Sequence, residues 1–99
     1  MGSGTSKVRN GAFKGSGAAL EVRQCDFRPT AVQVINEDGL CQGWWTNTMA
    51  DGDVMKQVTD GTISKVTTNG ITPLSDGFSL GADADLNVAG ELVHWIAYE

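Results

Sequence analysis

Short runs of Val, Ile, Thr, Phe and Trp alternate with polar positions along the chain. Asn10-Gly11, Asp38-Gly39, Asp51-Gly52, Asp60-Gly61, Asn69-Gly70, Asp76-Gly77 and Ala89-Gly90 interrupt them at close intervals. Period-two alternation in segments too short for independent helices is the pattern of half-buried strands. The Asn-Gly and Asp-Gly pairs tolerate the positive φ that tight hairpin turns require. The spacing predicts eight strands, near residues 6–14, 18–23, 30–35, 41–46, 53–58, 62–67, 77–80 and 91–98. The expected fold is all-β: a single small antiparallel β-sandwich, jelly-roll-like, or a compact barrel of about eight short strands. A helical turn over residues 49–58 is the competing local reading, because Met49, Val54, Met55 and Val58 fit helical spacing loosely. Asp51-Gly52-Asp53 inside that stretch argues against it.

The alternation also assigns faces. Val32 and Val34 share one side of their strand, whereas the adjacent Trp44 and Trp45 point to opposite sides, so one is core and the other is covered by something else. In the closing strand Leu92, His94, Ile96 and Tyr98 lie on one side and Val93, Trp95 and Ala97 on the other. Both sides are apolar enough to be buried, as in a central strand or one whose outer face packs on a neighbouring subunit. The apolar runs at 77–81 and 91–98 flank a polar, turn-rich stretch and read as paired strands joined by a loop. Trp44, Trp45, Trp95 and Tyr98 are the candidate interface residues, since large aromatic side chains dominate buried contact area. An aromatic platform for a sugar ring is the rival reading, constrained because Trp44 and Trp45 cannot both face one ligand from a regular strand.

Ninety-nine residues hold one core: a flexible arm over residues 1–5 and a single β domain over 6–99 are expected. A core this small narrowly outweighs conformational entropy, so association with copies of itself or a larger partner would help. Seven basic residues against twelve acidic give a net charge of -5, and the basic ones are scattered. That balance repels phosphate backbones and anionic lipid, so no nucleic-acid partner is expected. No apolar run approaches the roughly 18 residues of a membrane span, and the start lacks a signal-peptide layout, so the expectation is a soluble protein made in the cytoplasm with no membrane partner. Met1-Gly2-Ser3-Gly4-Thr5-Ser6 fits the loose N-myristoylation pattern, but a Gly/Ser-rich flexible leader accounts for it better. Cys25 and Cys41 are too few and too separated for a disulfide framework or a CxxC site. Two reduced, buried thiols are the default, and a bridge between them stays open.

Two constellations bear on chemistry. Asp83-Ala84-Asp85-Leu86-Asn87 has the D-x-D-x-N alternation of calcium loops, yet Val88 stands where the sharp-turn glycine belongs and His94 where a bidentate glutamate is required. A simpler calcium site on Asp83, Asp85 and Asn87 therefore competes with an Asx-type loop whose carboxylates accept backbone N–H groups. His94 is the only histidine and sits between Val93 and Trp95; Ser64, Ser75 and Ser79 are serines that a triad would need, but no nucleophile-elbow signature marks any of them. No GxGxxG or GxxxxGK[ST] fingerprint is present. The sequence thus predicts no catalytic, cofactor-binding or metal-ligating residue, and a structural His94.

Gly70-Ile71-Thr72, Asp76-Gly77-Phe78-Ser79-Leu80-Gly81, Asp85-Leu86-Asn87-Val88-Ala89-Gly90-Glu91 and His94-Trp95-Ile96-Ala97-Tyr98 follow in order. Together they resemble a module recurrent in virion structural proteins of tailed bacteriophages, whose pattern runs GI, GF-x-[IL]-G, LN-x-x-GE and an aromatic closing strand ending in A-[FY]. Upstream, residues 11–19, Phe27-Arg28-Pro29-Thr30-Ala31-Val32 and Trp44-Trp45-Thr46-Asn47-Thr48-Met49 are similar to its GF-x-P-x-x-V and tryptophan-methionine segments. Cys25-Asp26-Phe27 departs from it, standing where the pattern has a small residue, Gly and Phe. The resemblance implies a β-sandwich scaffold without catalytic residues. It also implies a capsid-associated decoration or cement protein that binds the major capsid protein in the virion, with a homotrimer suiting a capsid lattice. The alternative it carries is a receptor- or glycan-binding head-fibre or tail-appendage module.

Overall fold

The computed structural model describes residues 7–99, so the expected arm over residues 1–5 and the first residue of the expected opening strand lie outside the described residues. Nine strands form: β1 (Val8–Lys14), β2 (Leu20–Val22), β3 (Ala31–Asn36), β4 (Cys41–Thr46), β5 (Val54–Gln57), β6 (Ile63–Val66), β7 (Ile71–Leu74), β8 (Gly77–Leu80) and β9 (Leu92–Tyr98). They make a six-stranded sheet, ordered β1-β9-β3-β4-β5-β6, and a three-stranded sheet, ordered β2-β8-β7; every pairing is antiparallel. The fold is an all-β sandwich, and the helical reading of residues 49–58 gives way to a turn leading into β5.

Two expectations are corrected by this topology. The apolar runs at 77–81 and 91–98 are not paired: β8 lies in the small sheet between β2 and β7, and β9 in the large sheet between β1 and β3. The unpredicted ninth strand is β7, which contains Pro73. Proline cannot donate to a ladder and is confined to sheet edges, and β7 is an edge strand, with Pro73 opposite Phe78. The hairpin after β3 differs in detail too: the positive φ falls on Leu40, at 56°, and not on Gly39.

The two sheets bury Val32, Val34, Trp45, Val54, Val93, Trp95 and Ala97 against Val22, Ile71, Phe78 and Leu80. Phe78 meets Trp95 edge-on across the layer, with ring centroids 5.7 Å apart and planes at 70°, the geometry that the ring quadrupoles favour. Trp95 also lies over Gly11, its direct partner on β1; a Cβ there would come within 2.9 Å of the indole. Gly77 allows an even closer approach, because a Cβ would sit 1.7 Å from the carbonyl oxygen of Val22. β8 could not pair with β2 in this way with a side chain at position 77.

Asp26 stands at the position where the resembling pattern has glycine, and its φ is +66°. Aspartate is among the few side chains that enter this left-handed region at modest cost. Asp26 thus holds a left-handed turn position without a glycine. Asp26→Gly is expected to change stability by less than about 1 kcal/mol, since only an exposed ion pair with Arg9 is lost. Asp26→Val, with a β-branched side chain in the same conformation, should cost about 1–3 kcal/mol. Urea unfolding of the three proteins checks the order; equal losses for both variants would disprove it.

Candidate binding face and the polar end of the sandwich

β9 is central in the large sheet, and its two faces behave differently. Val93, Trp95 and Ala97 are buried under the small sheet, while Leu92, His94 and Ile96 are half-buried and Tyr98 is exposed on the other side. The register carries that outer face across all six strands. One row runs Asn10, Ile96, Gln33, Trp44, Met55, Lys65; the next runs Ala12, His94, Ile35, Gln42, Gln57, Ile63. Val8 and Tyr98 stand opposite each other at one end. Among the described residues the exposed large hydrophobic ones are Val8, Leu40, Ile63 and Tyr98; three lie on this face and Leu40, at the β3–β4 hairpin tip, borders it. The outer face of the small sheet is the opposite in character: Glu21, Ser79 and Thr72 line up across its strands, and Arg23 bridges Glu21 and Asp76 beside them. The two outer faces differ: that of the small sheet is mainly polar, and that of the large sheet sets large apolar side chains among polar ones.

Amides stiffen the apolar face. Gln33 donates from Nε2 to Gln42 Oε1 at 3.3 Å, and Gln42 donates to Gln57 Oε1 at 2.9 Å, a chain of side chains crossing β3, β4 and β5 beside Trp44. Next to it a 390 Å³ pocket opens between the two hairpin tips, lined in part by Ile35, Leu40, Gln42, Gln57 and Val58.

The candidate interface residues divide between the two sides of the sheet. Trp45 and Trp95 fill the core at 1% and 2% exposure, and Trp45 donates its indole N–H to Ala50 O. Trp44 and Tyr98 belong to the open face. His94 is on that face too, half-buried, with its Nε2 against Glu37 Oε1. Ser64 points to the opposite side of the large sheet and Ser79 to the far side of the small one, so neither is placed to form a triad with His94. Cys25 and Cys41 are both buried and unbridged. Burial raises both thiol pKa values, helped by Asp26 at Cys25 and by Asp85 at Cys41.

The D-x-D-x-N loop closes one end of the sandwich. Asp83 Oδ1 accepts the N–H groups of Asp85 and Leu86 at 2.8 and 3.0 Å, the Asx-type arrangement. The Nζ of Lys56, reaching inward from β5, lies 3.1 Å from Asp83 Oδ2 and 2.8 Å from Asp85 Oδ2. An ammonium therefore fills the place a metal ion would take between these carboxylates. Asn87 takes no part in holding it; its Oδ1 accepts Ser16 N–H and its Nδ2 donates to Ala18 O and Gly81 O. Lys56 was missed as a site residue, though its period-two placement with Val54 and Val58 marks an inward-facing lysine.

Among the described residues, no group of three or more His, Cys, Asp or Glu is placed to hold a metal ion, and no helix is long and apolar enough to cross a membrane. No family model, curated protein or solved structure matches the chain.

Burial opposes the charge on Lys56, but Asp85 and Asp83 together outweigh it and raise its pKa above the ordinary 10.5. A raised lysine pKa contributes stability that is complete below the unfolded value and is lost as pH climbs through the folded one. Lys56→Met should thus cost about 3 kcal/mol at neutral pH, because Asp83 is left buried without its cation. The deficit should stay constant to about pH 10 and shrink above that. Urea unfolding of both proteins across this range tests it, and a deficit that disappears below pH 9 would refute the assignment.

Proposed function

We propose that the chain is a non-enzymatic virion structural protein, a capsid decoration or cement protein that docks on the major capsid protein through the outer face of its large sheet. The observation carrying this reading is the asymmetry of the two sheets: large apolar side chains stand on a face that no described segment covers, opposite a polar one. Monomeric proteins seldom leave such patches without a binding role. The resemblance of residues 70–98 to the phage virion module supplies the setting.

The size of the face favours repeated weak contacts. Six strands spaced about 4.8 Å apart give a face roughly 24 Å wide, and strands of this length make it about 20 Å tall. That is on the order of 500 Å², short of the roughly 800 Å² per partner of a standard stable interface. A contact of this size gains strength when repeated over a lattice, where one attachment raises the effective concentration for the next. A homotrimer would multiply it threefold at each capsid position.

A receptor- or glycan-binding appendage is the second reading, favoured by one feature: Trp44 is flanked by the amides of Gln33 and Gln42, a flat aromatic ring beside hydrogen-bonding groups.

The purified protein is expected to bind mature capsids and to appear in virions by mass spectrometry. Trp44→Ala combined with Ile96→Asp should weaken capsid binding at least tenfold, while the cooperative unfolding transition is retained. Absence from the particle, or undiminished binding by that variant, would overturn the proposal. Glycan-array binding abolished by Trp44→Ala alone would establish the appendage reading in its place, and light scattering distinguishes trimer from monomer.

A further inference from the structure

The four open edges of the two sheets differ in how well they are protected against an added strand. β2 is three residues long with Glu21 paired to Arg23, and β7 carries Pro73. Short, charged and proline-bearing strands are the devices by which edges avoid pairing. β1 has Asn10-Gly11 at its centre, residues that strands disfavour. β6 is short and carries Lys65, but it has neither proline nor glycine. Within Thr62-Ile63-Ser64-Lys65-Val66-Thr67-Thr68 five of seven residues are β-branched, and all but the half-buried Val66 are exposed.

The register identifies the free backbone groups. Val58 donates its N–H to Thr62 O at 3.1 Å, and Gln57 pairs with Ile63 and Lys56 with Ser64. In an antiparallel ladder, residues alternate in the side to which their backbone groups point. The groups of Thr62, Ser64 and Val66 therefore face β5, and the N–H and C=O of Ile63 and Lys65 face away. Among the described residues no backbone hydrogen bond is made on that side. Both side chains stand on the outer face: Ile63 is 56% exposed, and the Lys65 side chain is 60% exposed, holding only a long 3.8 Å ion pair with Asp53.

We propose that β6 accepts an extended segment of a partner protein as a seventh strand. That segment carries a carboxylate beside Lys65 and an apolar side chain beside Ile63. Main-chain bonds to Ile63 and Lys65 supply attachment, and the two side-chain positions supply selectivity. Charge argues against a second copy as the occupant. Residues 62–68 contain no carboxylate, so antiparallel β6–β6 pairing sets Lys65 against Ile63 or against its own counterpart. Pairing with β1 of another copy brings Arg9 and Lys14, again with no carboxylate. Neither pairing offers Lys65 a carboxylate, whereas an acidic strand would. The inference does not rest on the capsid role, because it concerns the edge of the sheet and that role its face.

The probe is a blocked heptapeptide, acetyl-Thr-Val-Thr-Glu-Thr-Val-Thr-amide, with a counterpart carrying Lys in place of Glu, each titrated to millimolar concentration into the isotopically labelled full chain. The Glu peptide should slow hydrogen exchange at the amides of Ile63 and Lys65 and bind at least tenfold more tightly than its Lys counterpart. Lys65→Glu, an exposed substitution, should invert that preference. Ile63→Pro removes an outward donor without breaking a bond to β5, and should abolish binding with the cooperative unfolding transition retained. Equal binding of the two peptides, protection centred on β1 or on the open face, no binding at all, or self-association of the free chain through β6 would each overturn the proposal.

Discussion

A chain that moves strands between two sheets must carry polar backbone across the gap, and buried N–H and C=O groups left without partners would cost more than the small core can supply. Asn36, Asp83 and Asn87 meet that requirement here. Asn87 ties the β1–β2 crossing, through Ser16 and Ala18, to Gly81 at the end of β8. Asn36 Nδ2 reaches Asp85 O and Glu91 Oε1 at 2.8 Å each, while its Oδ1 receives the N–H groups of Asp38 and Gly39. Asp83 accepts two N–H groups and Lys56. Leu86, fully buried between these polar residues, fills the space that Gly43 leaves open: a Cβ at Gly43 would come within 2.8 Å of its Cδ1. The segment that looked most like a metal loop is the clamp between the sheets.

The clamp accounts for why the most recognisable part of the sequence concerns architecture. In the LN-x-x-GE stretch, Leu86 is a core plug, Asn87 the crossing tie, and Glu91 the carboxylate that orients Asn36. In the GF-x-L-G stretch, Gly77 admits the close approach of β2, and Phe78 and Leu80 fill the core. Such positions tolerate few alternatives because each is fixed by a short distance or a filled hydrogen bond. They are positions this fold requires, and a fold by itself hosts many roles.

Much of the fold was legible because alternation and turn residues act locally. The strands over 41–46 and 77–80 coincide with β4 and β8. β7 was hidden because its proline is acceptable only at an edge, and edge position is a property of the assembled sheet. The supposed pairing of the last two apolar runs failed for a related reason: the polar stretch between them is folded against Lys56, Asn36 and the β1–β2 crossing instead of forming a hairpin loop. The open face was legible in part. Leu92, Ile96 and Tyr98 already signalled that β9 is apolar on both sides, but Gln33, Gln42 and Gln57 are uninformative until the register sets them in one chain. Trp44 and Trp45 were correctly split between faces, and only the assembled sheet tells which one lies inside.

The imbalance between six strands and three leaves one face of the large sheet uncovered among the described residues. The small sheet and the 81–91 clamp together occupy the inner side of the large sheet, and Trp45, Trp95 and Val54 are buried there as a result. No described element is left for the other side. That side places Ile96, Trp44, Met55 and Ile35 in adjacent rows, interspersed with Asn10, His94, Lys65 and an amide chain whose members satisfy one another. Amides that already hold each other are partly desolvated before anything docks, which lowers the cost of covering them. The same pairing fixes their rotamers beside Trp44. A pre-ordered surface of this kind lowers the cost of docking a broad contact, as the proposed role requires.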